Sequence, residues 1–196
     1  MPKINQTTIL GRWRAGYALD LHSINSVFDG YDQYGHPRFQ TTRTAMGELL
    51  YRLKYGHDTS VVEVIARAAS RFVRSWGPSV DRLVAVPATR QRREQPVVLV
   101  AEALAKKLGL PFDRGCVTKG AGFPEVKDVH GRDQRTQLLA GAFEVKVHMT
   151  RDTRILLFDD LFRSGATMNA VAAALYDDGG ASEVFSLALT RTGRNR

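Results

Sequence analysis

The sequence predicts an α/β protein with a mainly parallel sheet covered by helices on both faces, and three observations carry that expectation. Short apolar runs of strand length alternate with longer stretches of helical period. The helical stretches end at glycines, as right-handed helices commonly do. One strand-like run is followed directly by two acids, a small polar loop and a helix start, the order in which open α/β sheets build ligand sites beyond their strand ends.

Taken in order, residues 13–40 hold Tyr17, Phe28, Tyr31, Tyr34 and Phe39 among Gly, Asp and Asn, which predicts a small β-hairpin, hood-like subdomain over residues 1–42. The α/β core is expected over 43–196. From 43 to 55, Met46, Leu49, Leu50 and Leu53 form the apolar stripe of a helix. Ser60 is the expected N-cap of a second helix, in which Ile65, Ala69, Phe72, Val73 and Trp76 keep the period until Gly77 and Pro78. Residues 81–87 read as a buried strand, 96–108 as a helix ended by Gly109, and 110–117 as another strand. Residues 119–133 are rich in glycine and polar residues without a period, the composition of a long loop of the lid kind. Strands are expected at 141–147, 153–158 and 183–190, with a helix at 167–176.

Composition narrows the class. A chain of 196 residues buries one substantial core, and 43% apolar with 24% charged residues is ordinary for a soluble globular protein. No apolar run approaches a membrane span, and the first ten residues lack a signal-peptide pattern, so a cytoplasmic protein is expected. The single cysteine, Cys116, excludes an intrachain disulfide and reads as a buried, inert thiol. The five histidines show no metal-ligand spacing. A net charge of +8 attracts anions without choosing among a nucleotide, pyrophosphate and a nucleic-acid backbone.

The chemistry concentrates in residues 155–167 (ILLFDDLFRSGAT). Asp159 and Asp160 at the strand's end are placed to accept hydrogen bonds from two vicinal ribose hydroxyls. The loop of Arg163, Ser164, Gly165, Ala166 and Thr167 can wrap backbone N–H groups around a phosphate monoester, with the Ser164 and Thr167 hydroxyls as further donors and the helix dipole favouring the anion. Gly165 permits close approach.

These thirteen residues resemble the 5-phospho-α-D-ribosyl-1-pyrophosphate (PRPP) signature of type I phosphoribosyltransferases, with Arg163 standing where that family more often has a hydroxyl residue. The resemblance extends to the ComF-like branch over roughly residues 43–190. Leu53-Lys54-Tyr55 with Gly56, Val84 to Pro87 followed by Arg90 and Arg93, Lys127-Asp128 with Arg135, and Gly141-Ala142-Phe143 carry it. Two departures stand out. The cysteine zinc ribbon common at the start of ComF-like proteins is missing here, and Glu94-Gln95-Pro96 replaces the usual Gly-Phe-Asn.

The resemblance implies the type I phosphoribosyltransferase fold and transfer of the phosphoribosyl group to a nitrogenous base or amine, with release of Mg²⁺-bound pyrophosphate. Asp159 and Asp160 would take the ribose hydroxyls, and residues 163–167 the 5′-phosphate. Lys54, Arg90 and Arg93 would neutralise pyrophosphate, and loop 119–133 would close as a lid. No residue is assigned as a direct metal ligand. Apart from the resemblance, the N-terminal hairpin offers Tyr17, Asp20, His22, Tyr31 and Tyr34 to stack on or hydrogen-bond the acceptor, with aromatic packing of a small subdomain as the favoured alternative. The alternatives are a non-catalytic PRPP or nucleotide sensor and a competence-type DNA-uptake accessory, the latter without a nucleic-acid motif in its favour. Homodimerisation is left open.

Overall fold

The computed structural model describes residues 2–88, 95–120, 139 and 141–193. Its centre is a five-stranded sheet of β1 (Thr7–Thr8), β2 (Ala15–Leu21), β5 (Arg82–Ala85), β8 (Arg154–Phe162) and β9 (Glu183–Arg191), in the order β1-β2-β9-β8-β5. β2, β9, β8 and β5 run parallel, and β1 is antiparallel at one edge.

Side-chain alternation along the strands divides the core in two. Leu156 and Phe158 of β8 point to one face with Leu83, Leu187 and Leu189, and there they meet α1 (Ala45–Tyr55), α2 (Val61–Trp76) and α3 (Pro96–Leu108). Ile155 and Leu157 point to the other, with Val84, Val184 and Ala188, against the helix Ala166–Asp177. A strand buried on both sides must be apolar at every position, and 155–158 is.

Helices α2 and α3 stop where expected, each on a glycine in the left-handed conformation, Gly77 and Gly109. Ser60 occupies the N-cap of α2 without capping it. Its backbone N–H and hydroxyl both donate to Asp58, which draws the side chain away from the helix.

Three further expectations are corrected. Residues 110–117 are not a strand: Phe112 makes an isolated bridge to Leu83, Asp113 turns the chain by accepting from Gly115 N at 2.8 Å, and only β6 (Val117–Lys119) is extended. The run 141–147 shortens to β7 (Phe143–Val145), which pairs antiparallel with β6 outside the main sheet, and the short helix α4 (Val147–Thr150) follows. The hairpin of the N-terminal region is β3 (Ser23–Tyr31) with β4 (Pro37–Arg43), whereas β1 and β2 belong to the central sheet, because Ala18 and Leu19 are fully buried there. The helix Ala166–Asp177 is α5. No helix among the described residues is long and apolar enough to cross a membrane. Cys116 is buried and unpaired, and burial pushes its thiol up from the ordinary value.

Candidate functional site

β8 runs to Phe162, four residues beyond its expected end, because β9 continues beside it: Asp159 pairs in register with Ala188, Leu161 with Thr190 and Phe162 with Arg191. On the other side β5 stops at Ala85, opposite Phe158, and Val86 N makes one more bond to Phe158 O at 2.8 Å. Past that point no described residue pairs with β8 on this side. Asp159 and Asp160 therefore stand at the lip of a crevice between the end of β5 and the end of β8, the position where parallel sheets place ligands.

That crevice is a cavity of about 360 Å³, lined by Lys54, Val86, Pro87, Gln95, Asp159, Asp160, Arg163 and Thr167 among others. Lys54 comes from the last turn of α1. Leu50 and Leu53 bury that helix's apolar stripe, and Lys54, one position on, reaches over the sheet edge to Asp160 Oδ1 at 2.8 Å. Both side chains are more than four-fifths buried, at 17% and 15% exposure, so solvent screens this pair less than a surface one.

Asp159 is in a different electrostatic state. Burial disfavours its charge and the Asp160 carboxylate repels it, which raises its pKa to about 7, while Lys54 and the backbone N–H groups of Asp160 and Leu161 act the other way. Asp159 keeps some accessible surface, which tempers the desolvation but leaves the direction set by both of these causes. The two neighbouring acids thus share one lysine unequally: Asp160 holds it, and Asp159 accepts from Asp160 N at 2.8 Å.

The turn from β8 into α5 is built around Gly165, whose φ of +78° is the left-handed conformation. A Cβ there would also meet the Phe162 ring at 2.7 Å. Ser164 Oγ accepts from Ala166 N at 3.4 Å, and Gly165 O accepts from both the backbone N and the side-chain Nδ2 of Asn169, at 2.8 Å each. No acid stands in the first turn of α5, which leaves the positive end of its dipole to an anion.

Of the residues expected at the site, Lys54, Asp159, Asp160, Arg163 and Thr167 line one cavity, and Ser164, Gly165 and Ala166 make the turn beside it. Arg90, Arg93 and residues 121–133 of the expected lid lie outside the described residues. The expected acceptor contacts divide. Tyr17 is half-buried and packs edge-on against Phe72 and Trp76 of α2, at 5.4 and 5.1 Å between ring centroids. Asp20 is buried and accepts from Leu21 N, while Tyr31 and Tyr34 are exposed on the hairpin. Only His22 approaches the acid pair, through Thr190. Asn169 and Thr190 were not foreseen, since their roles depend on a turn and on strand register that local pattern does not reveal.

No family model matches the chain. It is similar to competence protein ComFC of Bacillus subtilis (strain 168), 25% identical over 155 residues that make up 78% of this chain and 62% of ComFC, so the match spans less than two thirds of that relative. Among solved structures, the adenine phosphoribosyltransferase of Trypanosoma brucei, in complex with AMP, pyrophosphate and ribose 5-phosphate, superposes with a TM-score of 0.50 at 16% identity, over 94% of this chain and 73% of that one. The glutamine PRPP amidotransferase of B. subtilis, complexed with ADP and GMP, gives 0.50 at 14% identity, over 80% and 34%. The fold is the type I phosphoribosyltransferase fold, and the resemblance to the ComF-like branch is carried by the match to ComFC.

Proposed function

We propose that this chain binds PRPP in the crevice between β5 and β8 and transfers its phosphoribosyl group to a small nitrogenous acceptor, releasing pyrophosphate. The observation that carries this reading is the meeting of the Lys54–Asp160 pair, Asp159 and Thr167 around one cavity next to an acid-free helix N-terminus. Asp159 and Asp160 would accept from the ribose hydroxyls. Arg163, Ser164, Gly165, Ala166 and Thr167 would hold the 5′-phosphate.

Lys54 donates to Asp160, so its part in neutralising pyrophosphate requires Asp160 to share it. Arg90 and Arg93 remain candidates for the same task on the segment after β5. The donor set suits Mg²⁺ that arrives on the substrate's phosphates: no cluster of three His, Cys, Asp or Glu residues occurs among the described residues, while the carboxylates of Asp159 and Asp160 lie at the cavity. Magnesium would neutralise charge on the leaving pyrophosphate. The chain's own contribution is to orient the ribose and exclude water.

The similarity to a competence protein supports a second reading, in which the site binds PRPP or a nucleotide without transfer. Titration with ribose 5-phosphate and with PRPP, beside a pyrophosphate-release assay against bases and amines, separates the two. Transfer predicts magnesium-dependent pyrophosphate release that D160N lowers by at least about tenfold, the loss expected for one charge-assisted hydrogen bond. Tight PRPP binding with no release for any acceptor leaves the sensor. A salt-dependent DNA affinity that survives excess PRPP favours the DNA accessory instead.

A further inference from the structure

Asn169, on the first turn of α5, holds the phosphate turn without lining the crevice. It lies instead on a second cavity, of about 660 Å³, together with Arg12, Ala170 and Asp177. Its side chain makes two hydrogen bonds whose partners fix the orientation of the amide. Oδ1 accepts at 2.7 Å from Arg12 N, a group that can only donate, and Nδ2 donates at 2.8 Å to Gly165 O, a group that can only accept. One amide thus joins the turn to a residue 157 positions away.

The bend between β1 and β2, residues 9–14, is itself held at several points. Ile9 N donates to Gly16 O at 2.9 Å, Arg14 N to Val184 O at 2.8 Å and Trp13 Nε1 to Ile9 O at 3.0 Å. The Trp13 ring lies over Gly11 and Gly16, where a Cβ would come within 2.2 and 2.5 Å of it, and it meets Phe162 edge-on at 6.3 Å between centroids. Arg12 fastens the bend to the far end of α5 through two guanidinium bonds to Asp177, at 2.6 and 2.5 Å. The bend therefore reaches Gly165 by two routes, through Trp13 and Phe162 and through Arg12 N and Asn169.

Gly165 needs that support. Lacking a Cβ, a glycine has several backbone states of similar energy and does not fix its own peptide. Here its carbonyl accepts from both the backbone N and Nδ2 of Asn169. The Gly165–Ala166 peptide is planar and trans, so holding the carbonyl toward the helix turns the Ala166 N–H the other way, out of the first turn. A rotated peptide would present a carbonyl oxygen to the anion instead.

We propose that Asn169 is a positioning residue of the 5′-phosphate site: it fixes the Gly165–Ala166 peptide with its N–H toward the anion, and the β1–β2 bend holds Asn169 in place. The proposal rests on the phosphoribosyl reading above and adds to it a residue that acts through the turn and not on the ligand.

The test follows the Ala166 amide in the full chain by ¹H–¹⁵N NMR. In the wild-type protein ribose 5-phosphate should move that amide proton downfield, the mark of a new bond to phosphate, and ribose should not. N169A and N169S then isolate the bond to the turn. Both lose the bond from Arg12 N, but a serine hydroxyl on a helix can still donate to the carbonyl four residues back. N169A should bind ribose 5-phosphate about tenfold more weakly and lose the Ala166 shift, whereas N169S should stay within about threefold of wild type and keep it. Urea midpoints of the two variants should fall by similar amounts. Ribose 5-phosphate binding without an Ala166 shift, wild-type affinity in N169A, or affinity losses that are equal in the two variants or follow their urea midpoints overturn the role of Asn169 alone. Failure of the wild-type protein to bind ribose 5-phosphate overturns the phosphoribosyl reading and the role of Asn169 with it.

Discussion

At the scale of single residues, the contrast between Asp159 and Asp160 has a measurable consequence. An unfolded chain releases the Asp159 proton near 3.8, whereas the folded protein holds it until about 7. Between those values the native state binds the extra proton, so this group's contribution to stability is most favourable on the acid side and is lost as pH rises through the window. D159N, which cannot ionise, should therefore gain stability relative to wild type between pH 5 and pH 8 in urea denaturation. Ligand binding should run in the opposite sense. Only the ionised carboxylate accepts from both ribose hydroxyls, so the wild-type affinity for ribose 5-phosphate should strengthen relative to D159N as pH rises through about 7. The ligand's own phosphate titrates equally in both proteins and cancels from the difference. Parallel pH profiles would remove Asp159 from the site. This state of Asp159 was not legible in the sequence, where the two acids look alike. It arises from burial and from the neighbouring Asp160 carboxylate, which outweigh the opposing pull of Lys54.

At the scale of elements, the sequence showed the helices better than the strands. An apolar stripe ended by Gly77 or Gly109 contains both the period and the stop of a helix. A strand's end is set by its neighbour: 110–117 has strand composition but, among the described residues, no strand partner along most of its length, and β8 outruns its apolar stretch because β9 pairs with it up to Phe162. The turn after β8 was legible, since a glycine between a polar loop and a helix start is local information. G165A tests that turn. The left-handed φ and the contact with Phe162 both oppose a Cβ, so the substitution should cost about 1–3 kcal/mol in urea denaturation and weaken ribose 5-phosphate binding beyond what that loss explains. Unchanged binding would move the phosphate elsewhere. At the opposite end of the strands, Asp81 fixes the start of β8 against β5. It accepts from Arg154 N at 2.8 Å, Nε at 2.9 Å and Nη2 at 2.6 Å, and the guanidinium holds its pKa down to about 2. The stabilisation from a lowered carboxylate pKa is present above the unfolded value and is lost as pH falls toward the folded one. D81N should thus narrow its deficit relative to wild type between pH 5 and pH 2.5, and a constant deficit would show that the charge of Asp81 is not what counts.

At the scale of the whole molecule, the sheet is shared by two apolar layers while the β3–β4 hairpin stands apart from both. Phe28, Tyr31, Tyr34 and Phe39 are each more than half exposed, and the hairpin's internal contacts include Phe28 against Tyr31 and Phe39, the Ser26–Thr41 hydroxyl pair and the turn bonds of Asp32 with Tyr34 and His36. The aromatic content of this region suggested a subdomain from sequence, but aromatic residues mark burial and exposed contact surfaces alike, and composition alone does not tell which. We propose that the separable part is the hairpin alone and not residues 1–42, since β2 is hydrogen-bonded along β9. Replacing residues 26–41 with Gly-Ser-Gly, which keeps His22 and Arg43, should leave the urea midpoint and ribose 5-phosphate binding close to wild type, because a two-stranded ribbon exposed on both faces buries little. L157A should behave differently. Leu157 is fully buried in the middle of β8, under α5, and its truncation should cost about 2–5 kcal/mol and lower the midpoint of one cooperative transition. If the hairpin replacement were as damaging as L157A, the exposed rings would have to be covered in solution, and the size of the intact protein in sedimentation would reveal the second copy or partner that covers them.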